Sequence, residues 1–210
     1  MKKYDLYLFD FDGTLLNTMD ALEFVFQVSY GHIGMEFKHE DTIEFSRIPL
    51  NVGFEKMHAK EEDWPEFCKY IDKSLDFEEA LERNHPYPET YEFIEYLRKN
   101  HIRAGIVTSN NVHHVQEVLE HLNIPIDTFE IYIGNKECEF FKPHPDPIFK
   151  ALLQYERAHE KDKIVYVGDG MNDTLSANAA GVDAILIDRV NTFPDSDKYA
   201  RISSLMELFK

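Results

Sequence analysis

The stretch 7-YLFDFDGTLLN-17 sets an apolar run directly against two aspartates one residue apart, with a glycine next. The apolar residues around it predict a short buried strand over 4–9. Side chains two apart in an extended segment point the same way. At ~4 Å and an effective dielectric near 20, Asp10 and Asp12 would repel by about 4 kcal/mol. Either the strand ends here and its charges fan into water, or something cationic sits between them.

Beyond residue 85 the chain alternates between two periods. Strands are predicted at 102–107, 130–133, 164–167 and 184–187. Between them, Tyr91, Ile94 and Leu97 mark a helix with Pro88 at an early position. Val112, Val115, Leu119 and Leu122 mark a second helix, and Ile148, Leu152 and Tyr155 a third. A fourth covers 176–180 and stops at Gly181, in the position that favours a left-handed residue. With 4–9 added, the pattern is that of an α/β protein with a doubly wound parallel five-stranded sheet.

The segment 17–84 breaks this rhythm. Its helical stretches, 21–28, 52–58, 66–74 and 77–83, have no strand between them. They predict an all-helical cap domain over 17–84, inserted into a core made of 1–16 and 85–210. Phe24, Phe26, Phe54, Phe67 and Tyr70 are expected to form the core of that insert. His113 and His114 are expected on a solvated helix start.

The 210 residues carry 22 Lys and Arg against 39 Asp and Glu, a net charge of −17. Such a surface repels nucleic-acid backbones and anionic lipid, so neither nucleic acid nor membrane is expected as a partner. A small anionic substrate would need a local cation or a metal. Cys68 and Cys138 lack metal-ligand spacing and predict free thiols in a reducing compartment. Asp5, Asp10 and Asp12 interrupt the first apolar stretch, which excludes a signal peptide. The expected setting is cytoplasmic, as a monomer or homodimer.

Polar residues gather after the strands. The clusters are Asp10-Phe11-Asp12-Gly13-Thr14, Thr108-Ser109-Asn110, Phe141-Lys142-Pro143-His144-Pro145 and Gly168-Asp169-Gly170-Met171-Asn172-Asp173. Any one could be a capped loop. Four at one sheet edge predict a site, because open α/β sheets bind ligands outside the carboxyl ends of their strands. Asp10, Asp12, Asp169 and Asp173 against Lys142 leave −3 in that crevice. Carboxylates without a nearby His or Cys ligand suit Mg²⁺ better than zinc; His144, between prolines, reads as a loop residue. A carboxylate at a strand end can attack phosphorus and carry an acyl phosphate, and a second one can move the proton. Lys142 and Thr108 would hold the oxygens of the transferred group, with Gly13 admitting backbone N–H groups close to them.

The segments "DFDGTL", "TSN", "KPHPDP" and "GDGMND", in this order, resemble the four motifs of the haloacid-dehalogenase-like superfamily. The resemblance is closest to its phosphoglycolate phosphatase and β-phosphoglucomutase branch, and implies a Rossmann-like core with a helical cap after the first motif. It implies Asp10 as nucleophile and metal ligand. Asp12 is then the acid/base, with its backbone carbonyl on Mg²⁺. Thr108, followed by Ser109 and Asn110, binds phosphate, Lys142 stabilises the intermediate, and Asp169 and Asp173 complete the metal site. The implied activity is hydrolysis of a small phosphate ester through an aspartyl phosphate.

Asp12 speaks against dehalogenase chemistry, since dehalogenases of the superfamily lack this acid. Leu22 stands where the related mutases carry a histidine, which weakens the phosphomutase alternative. The fourth motif has Gly-Met-Asn-Asp where this branch more often has Gly-Asp-Ser, a change that bears on substrate rather than mechanism. A non-hydrolytic phosphate-binding regulator would need neither the insert nor Asp12. In related enzymes the cap contacts the leaving group, and Arg47 in Ser46-Arg47-Ile48-Pro49-Leu50 is either the contact to an anionic leaving alcohol or a surface arginine paired with Glu44 or Glu55.

Overall fold

Apolar runs without a polar face, such as Leu6-Tyr7-Leu8-Phe9 and Ile164-Val165-Tyr166-Val167, form strands buried along their whole length. The computed structural model describes residues 2–46, 48–156, 159–196 and 198–210. After β1 (Leu6–Phe9) the chain passes through β2 (Leu16–Asn17) into five helices. These are α1 (Met19–His32), α2 (Thr42–Phe45), α3 (Leu50–Lys56), α4 (Trp64–Leu75) and α5 (Glu78–Glu82). The chain returns at β3 (His85–Pro86), which pairs with β2 as a two-stranded sheet.

Strands and helices then alternate: α6 (Thr90–Lys99), β4 (Ala104–Val107), α7 (Val112–His121), β5 (Ile131–Ile133) and α8 (Asp146–Gln154). They continue as β6 (Ile164–Gly168), α9 (Met171–Ala180), β7 (Asp183–Ile187) and β8 (Ala200–Ile202). The main sheet is parallel, in the order β5-β4-β1-β6-β7-β8. Leu8 is level with Gly105 on one side and Tyr166 on the other, so β1, β4 and β6 end at the same edge. Leu6, Leu8, Ile148, Leu152, Ile164 and Ala177 belong to one buried cluster of this sheet and its helices. Gly181 ends α9 with φ of 77°.

The sheet has six strands rather than the expected five. The sixth, β8, holds three residues and pairs only with β7, so a single buried residue, Ile202, anchors it. An edge strand needs no long apolar run, which is why it left little pattern. Pro88 lies in the turn before α6 rather than in its first turn. The one-turn helix α2 was not anticipated either.

The chain divides into two compact units, residues up to Leu16 with Pro86–Lys210, and Asn17–His85. In the second, the fully buried Tyr30 ring lies 4.6 Å from Phe67 and 5.4 Å from Phe37 between centroids. Phe26, Phe45 and Phe54 complete the same cluster. Phe24 and Tyr70, expected in that core, are half-buried; Tyr70 instead stacks on His32 at 3.7 Å.

Candidate active site

The site starts where β1 stops. Asp10 N–H continues the ladder by donating to Val167 O at 2.8 Å, and Asp10 Oδ1 accepts Phe11 N–H at 2.8 Å. The chain then closes a tight turn in which Phe11 O accepts from the amides of Thr14, Leu15 and Leu16 at 3.3, 3.0 and 3.3 Å. Gly13 N–H donates to Leu16 O at 2.9 Å, so this amide is engaged within the turn. What Gly13 contributes is room: with φ of 74°, a Cβ here would fall 2.2 Å from Asp169 Oδ2.

At the end of β4, Thr108 is buried, and its N–H donates to Ile133 O at 2.9 Å. Its Oγ1 accepts Asn110 N–H at 3.0 Å and lies 3.5 Å from Asp12 Oδ2. Ser109 is exposed, and Asn110 turns its Oδ1 back to Asn111 N–H at 2.7 Å. Asn111 caps α7 by accepting His113 N–H at 2.9 Å. Of the two histidines expected in solvent there, His113 is exposed, but His114 is buried on the inner face of α7.

At the end of β6, Asp169 follows Gly168, and Asp173 in the first turn of α9 accepts Gly170 N–H at 2.9 Å. A Cβ at Gly168 would lie 2.4 Å from Asp173, so the strand end must be glycine for that carboxylate to lie against it. Lys142 comes from the loop between β5 and α8 with its side chain 6% exposed. Its Nζ lies 3.0 Å from Asp10 Oδ1 and 2.7 Å from Asp173 Oδ1, and donates to Tyr166 Oη at 3.1 Å.

These groups shift one another. Burial drives the Asp10 carboxyl well above its ordinary range; Lys142 opposes the shift, while Asp173, Asp169 and Asp12 reinforce it. Burial disfavours the Lys142 ammonium, yet Asp10 and Asp173 outweigh that and hold it protonated. Asp169 keeps surface in contact with solvent but stands in a crevice dense with protein atoms. That burial, with the charge on Asp173, pushes it up to about 7.

One oxygen from each of Asp10, Asp169 and Asp173 lies within 4.8 Å of the others. Three hard oxygen donors, two of them buried and sharing one ammonium among the three carboxylates, fit a divalent oxygen-seeking cation. His144 Nδ1 accepts Asp146 N–H at 3.1 Å, which ties it to its own loop. The structure therefore brings Asp10, Asp12, Gly13, Thr108, Lys142, Asp169 and Asp173 to one edge. Ser109 and Asn110 sit on the turn beside them. Arg47 lies outside the described residues.

Sequence reasoning missed Tyr166. Its hydroxyl donates to Val107 O at 2.7 Å while accepting from Lys142, and stands 3.3 Å from Asp173 Oδ1. A lone tyrosine in an otherwise apolar buried strand was the available signal, because a buried hydroxyl needs partners.

The haloacid dehalogenase-like hydrolase family model matches residues 7–187. The chain is 27% identical over 194 residues to a phosphoglycolate phosphatase of Nitrosococcus oceani, covering 89% of this chain and 85% of that protein. It is 28% identical over 186 residues to pyrophosphatase PpaX of Bacillus mycoides, covering 88% and 84%. A solved hydrolase of the same superfamily, subfamily IA, from Geobacter sulfurreducens has the same fold. Its TM-score is 0.75 over 98% of this chain and 97% of that one, at 23% identity. No described helix is long and apolar enough to cross a membrane.

Proposed function

Because the chain belongs to the haloacid dehalogenase-like hydrolase family, we propose that it is a Mg²⁺-dependent phosphatase that cleaves a small phosphorylated metabolite through an aspartyl phosphate on Asp10. The observation that carries this reading is the buried Lys142 amine between Asp10 and Asp173, at 3.0 and 2.7 Å. Asp10 Oδ1 is engaged by Phe11 N–H and Lys142, which leaves Oδ2 to attack phosphorus. As that bond forms, the bond from phosphorus to the leaving oxygen breaks, and protonated Asp12 gives its proton to that oxygen. Asp12, now a carboxylate, takes a proton from water. The water oxygen bonds to phosphorus, the phosphorus–Asp10 bond breaks, and inorganic phosphate departs. Lys142 and the Thr108 hydroxyl hold the charge on the transferred oxygens.

Asp10, Asp169 and Asp173, with the Asp12 backbone carbonyl, would hold Mg²⁺, which when bound neutralises phosphoryl charge and favours ionised Asp10. In this reading the core is 1–16 and 85–210, and the helical insert over 17–84 is a cap that selects the leaving group, with Arg47 as its anion contact. Leu22 argues against the phosphomutase alternative. The names of the relatives make phosphoglycolate and pyrophosphate the first trial substrates.

The test is p-nitrophenyl phosphate turnover with Mg²⁺, with EDTA, and with Asp10→Asn. Turnover that survives EDTA or the Asp10 substitution would sink the mechanism. Arg47→Ala, assayed on anionic and neutral phosphate esters, tests the cap contact; an equal effect on both removes Arg47 from it.

A further inference from the structure

Three consecutive carbonyls in the turn behind Asp12 are each capped by a side chain from elsewhere in the same unit. The Tyr87 hydroxyl donates to Gly13 O at 3.1 Å, Arg189 Nη2 to Thr14 O at 2.9 Å, and Thr90 Oγ1 to Leu15 O at 3.0 Å. The amides of this turn are already committed to Phe11 O and Leu16 O. Its backbone is thus held from both sides.

Arg189 is the centre of the brace. It lies two residues beyond the end of β7, and its guanidinium carbon lies 3.5 Å from the centroid of the Tyr87 ring. Its Nη1 pairs with Glu89 Oε1, and the two side chains are 18% and 13% exposed. The same Glu89 oxygen accepts Leu205 N–H at 3.4 Å. A largely buried ion pair returns little net stability, because desolvating both charges offsets their attraction. Its structural result is geometric: a rigid fork aimed at one carbonyl.

Asp12 stands between the two ends of this arrangement. The carbonyl before it, on Phe11, gathers three amides, and the carbonyl after it, on Gly13, is held by Tyr87. Among the described residues, its own carboxylate has one long hydrogen bond, 3.5 Å from Thr108 Oγ1. The aim of this carboxylate therefore depends on its backbone more than on side-chain partners.

We propose that Arg189, with Tyr87 and Glu89, is a positioning residue that fixes the turn carrying Asp12, so that Asp12 meets the leaving-group oxygen. This rests on the reading of Asp12 as the proton donor. A displaced acid harms esters in proportion to their need for protonation. Phenyl phosphate needs it more than p-nitrophenyl phosphate, whose leaving phenolate is far less basic.

The test measures kcat/KM on both esters for wild type, Arg189→Met and Tyr87→Phe, with melting temperatures alongside. Tyr87→Phe keeps the ring under Arg189 and removes the hydroxyl that donates to Gly13 O, so it carries the test if Arg189→Met fails to fold. The expected result is a loss of about tenfold on phenyl phosphate with less than about twofold on p-nitrophenyl phosphate. In an Asp12→Asn background neither change should add to that selectivity. Equal losses on both esters, an unchanged ratio, or full additivity with Asp12→Asn overturns the proposal. A wild type that turns over neither ester overturns the phosphatase reading itself, a separate outcome.

Discussion

Lys142→Met is the sharpest test of how the site is held together. The site carries four carboxylates, Asp10, Asp12, Asp169 and Asp173, and one buried ammonium. At 3.0 and 2.7 Å and an effective dielectric near 20, Lys142 attracts Asp10 and Asp173 by roughly 5–6 kcal/mol each before desolvation. Removing it leaves carboxylate oxygens within 4.8 Å of one another, repelling by about 3 kcal/mol or more per ionised pair. Most of the gross attraction offsets burial of the charges, and breaking one partner out of a buried pair costs about 3–5 kcal/mol. For a chain of this size that is roughly 6–20 °C in melting temperature. The deficit should depend on pH. Asp10 is held well above the ordinary carboxylate range in the folded protein, so the folded state takes up its proton at higher pH than the unfolded chain does. Its contribution to stability is present at low pH and lost as pH rises towards the raised value, and removing Lys142 raises that value further. Thermal unfolding in EDTA at pH 8 and pH 5 should therefore show a large deficit at pH 8 and a small one at pH 5. Millimolar Mg²⁺ should recover part of it at pH 8. A Lys142→Met protein that melts with wild type in EDTA at pH 8, or keeps the same deficit at pH 5, refutes the reasoning.

Asp10→Asn should lower turnover at least about 10³-fold while the metal-free protein melts no lower than wild type at pH 8; a clear drop in melting temperature would contradict the charge-crowding argument. Gly13→Ala should cost about 1–2 kcal/mol for its left-handed backbone and displace Asp169, so the thermal shift produced by Mg²⁺ should vanish. Asp188 is buried, which raises its carboxyl, but Phe193 and Thr192 amides at 2.8 and 2.9 Å and Arg201 at 3.5 Å outweigh burial and hold it below the usual range. Its stabilisation is present above the ordinary carboxylate pKa and fades as pH falls through the lowered value. Asp188→Asn should thus lose about 1–3 kcal/mol near pH 7 in urea unfolding, and much less near pH 3.

The parallel sheet was legible because β1, β4, β6 and β7 are buried on both faces and so read as apolar runs. β8 was not, since one buried isoleucine on an edge leaves no period to detect. The site's charged residues were legible for a related reason: aspartates directly after buried strands conflict with their surroundings, and such conflicts mark function. Gly13 was legible as a glycine but not in its role, because only the folded arrangement brings Asp169 into the space a Cβ would take. Tyr166 and Arg189 act through backbone carbonyls, and a carbonyl leaves no mark in a sequence. His114 looked like half of a polar pair, and only the rotation of α7 distinguishes it from its exposed neighbour.

The strand order also sets a schedule. β1 is made long before its two neighbours in the sheet, which begin at Ala104 and Ile164. At about 5–20 residues per second, Asp10 waits roughly 10–30 s before Asp173 has been made. During that interval the strand that carries Asp10 lacks first both of its partners and then, once β4 is made, one of them. No truncated product that ends before β6 can assemble the cluster, because the central strand would lack one side and the crevice two of its acids. Activity in this architecture cannot precede the synthesis of β6 and the acids that follow it.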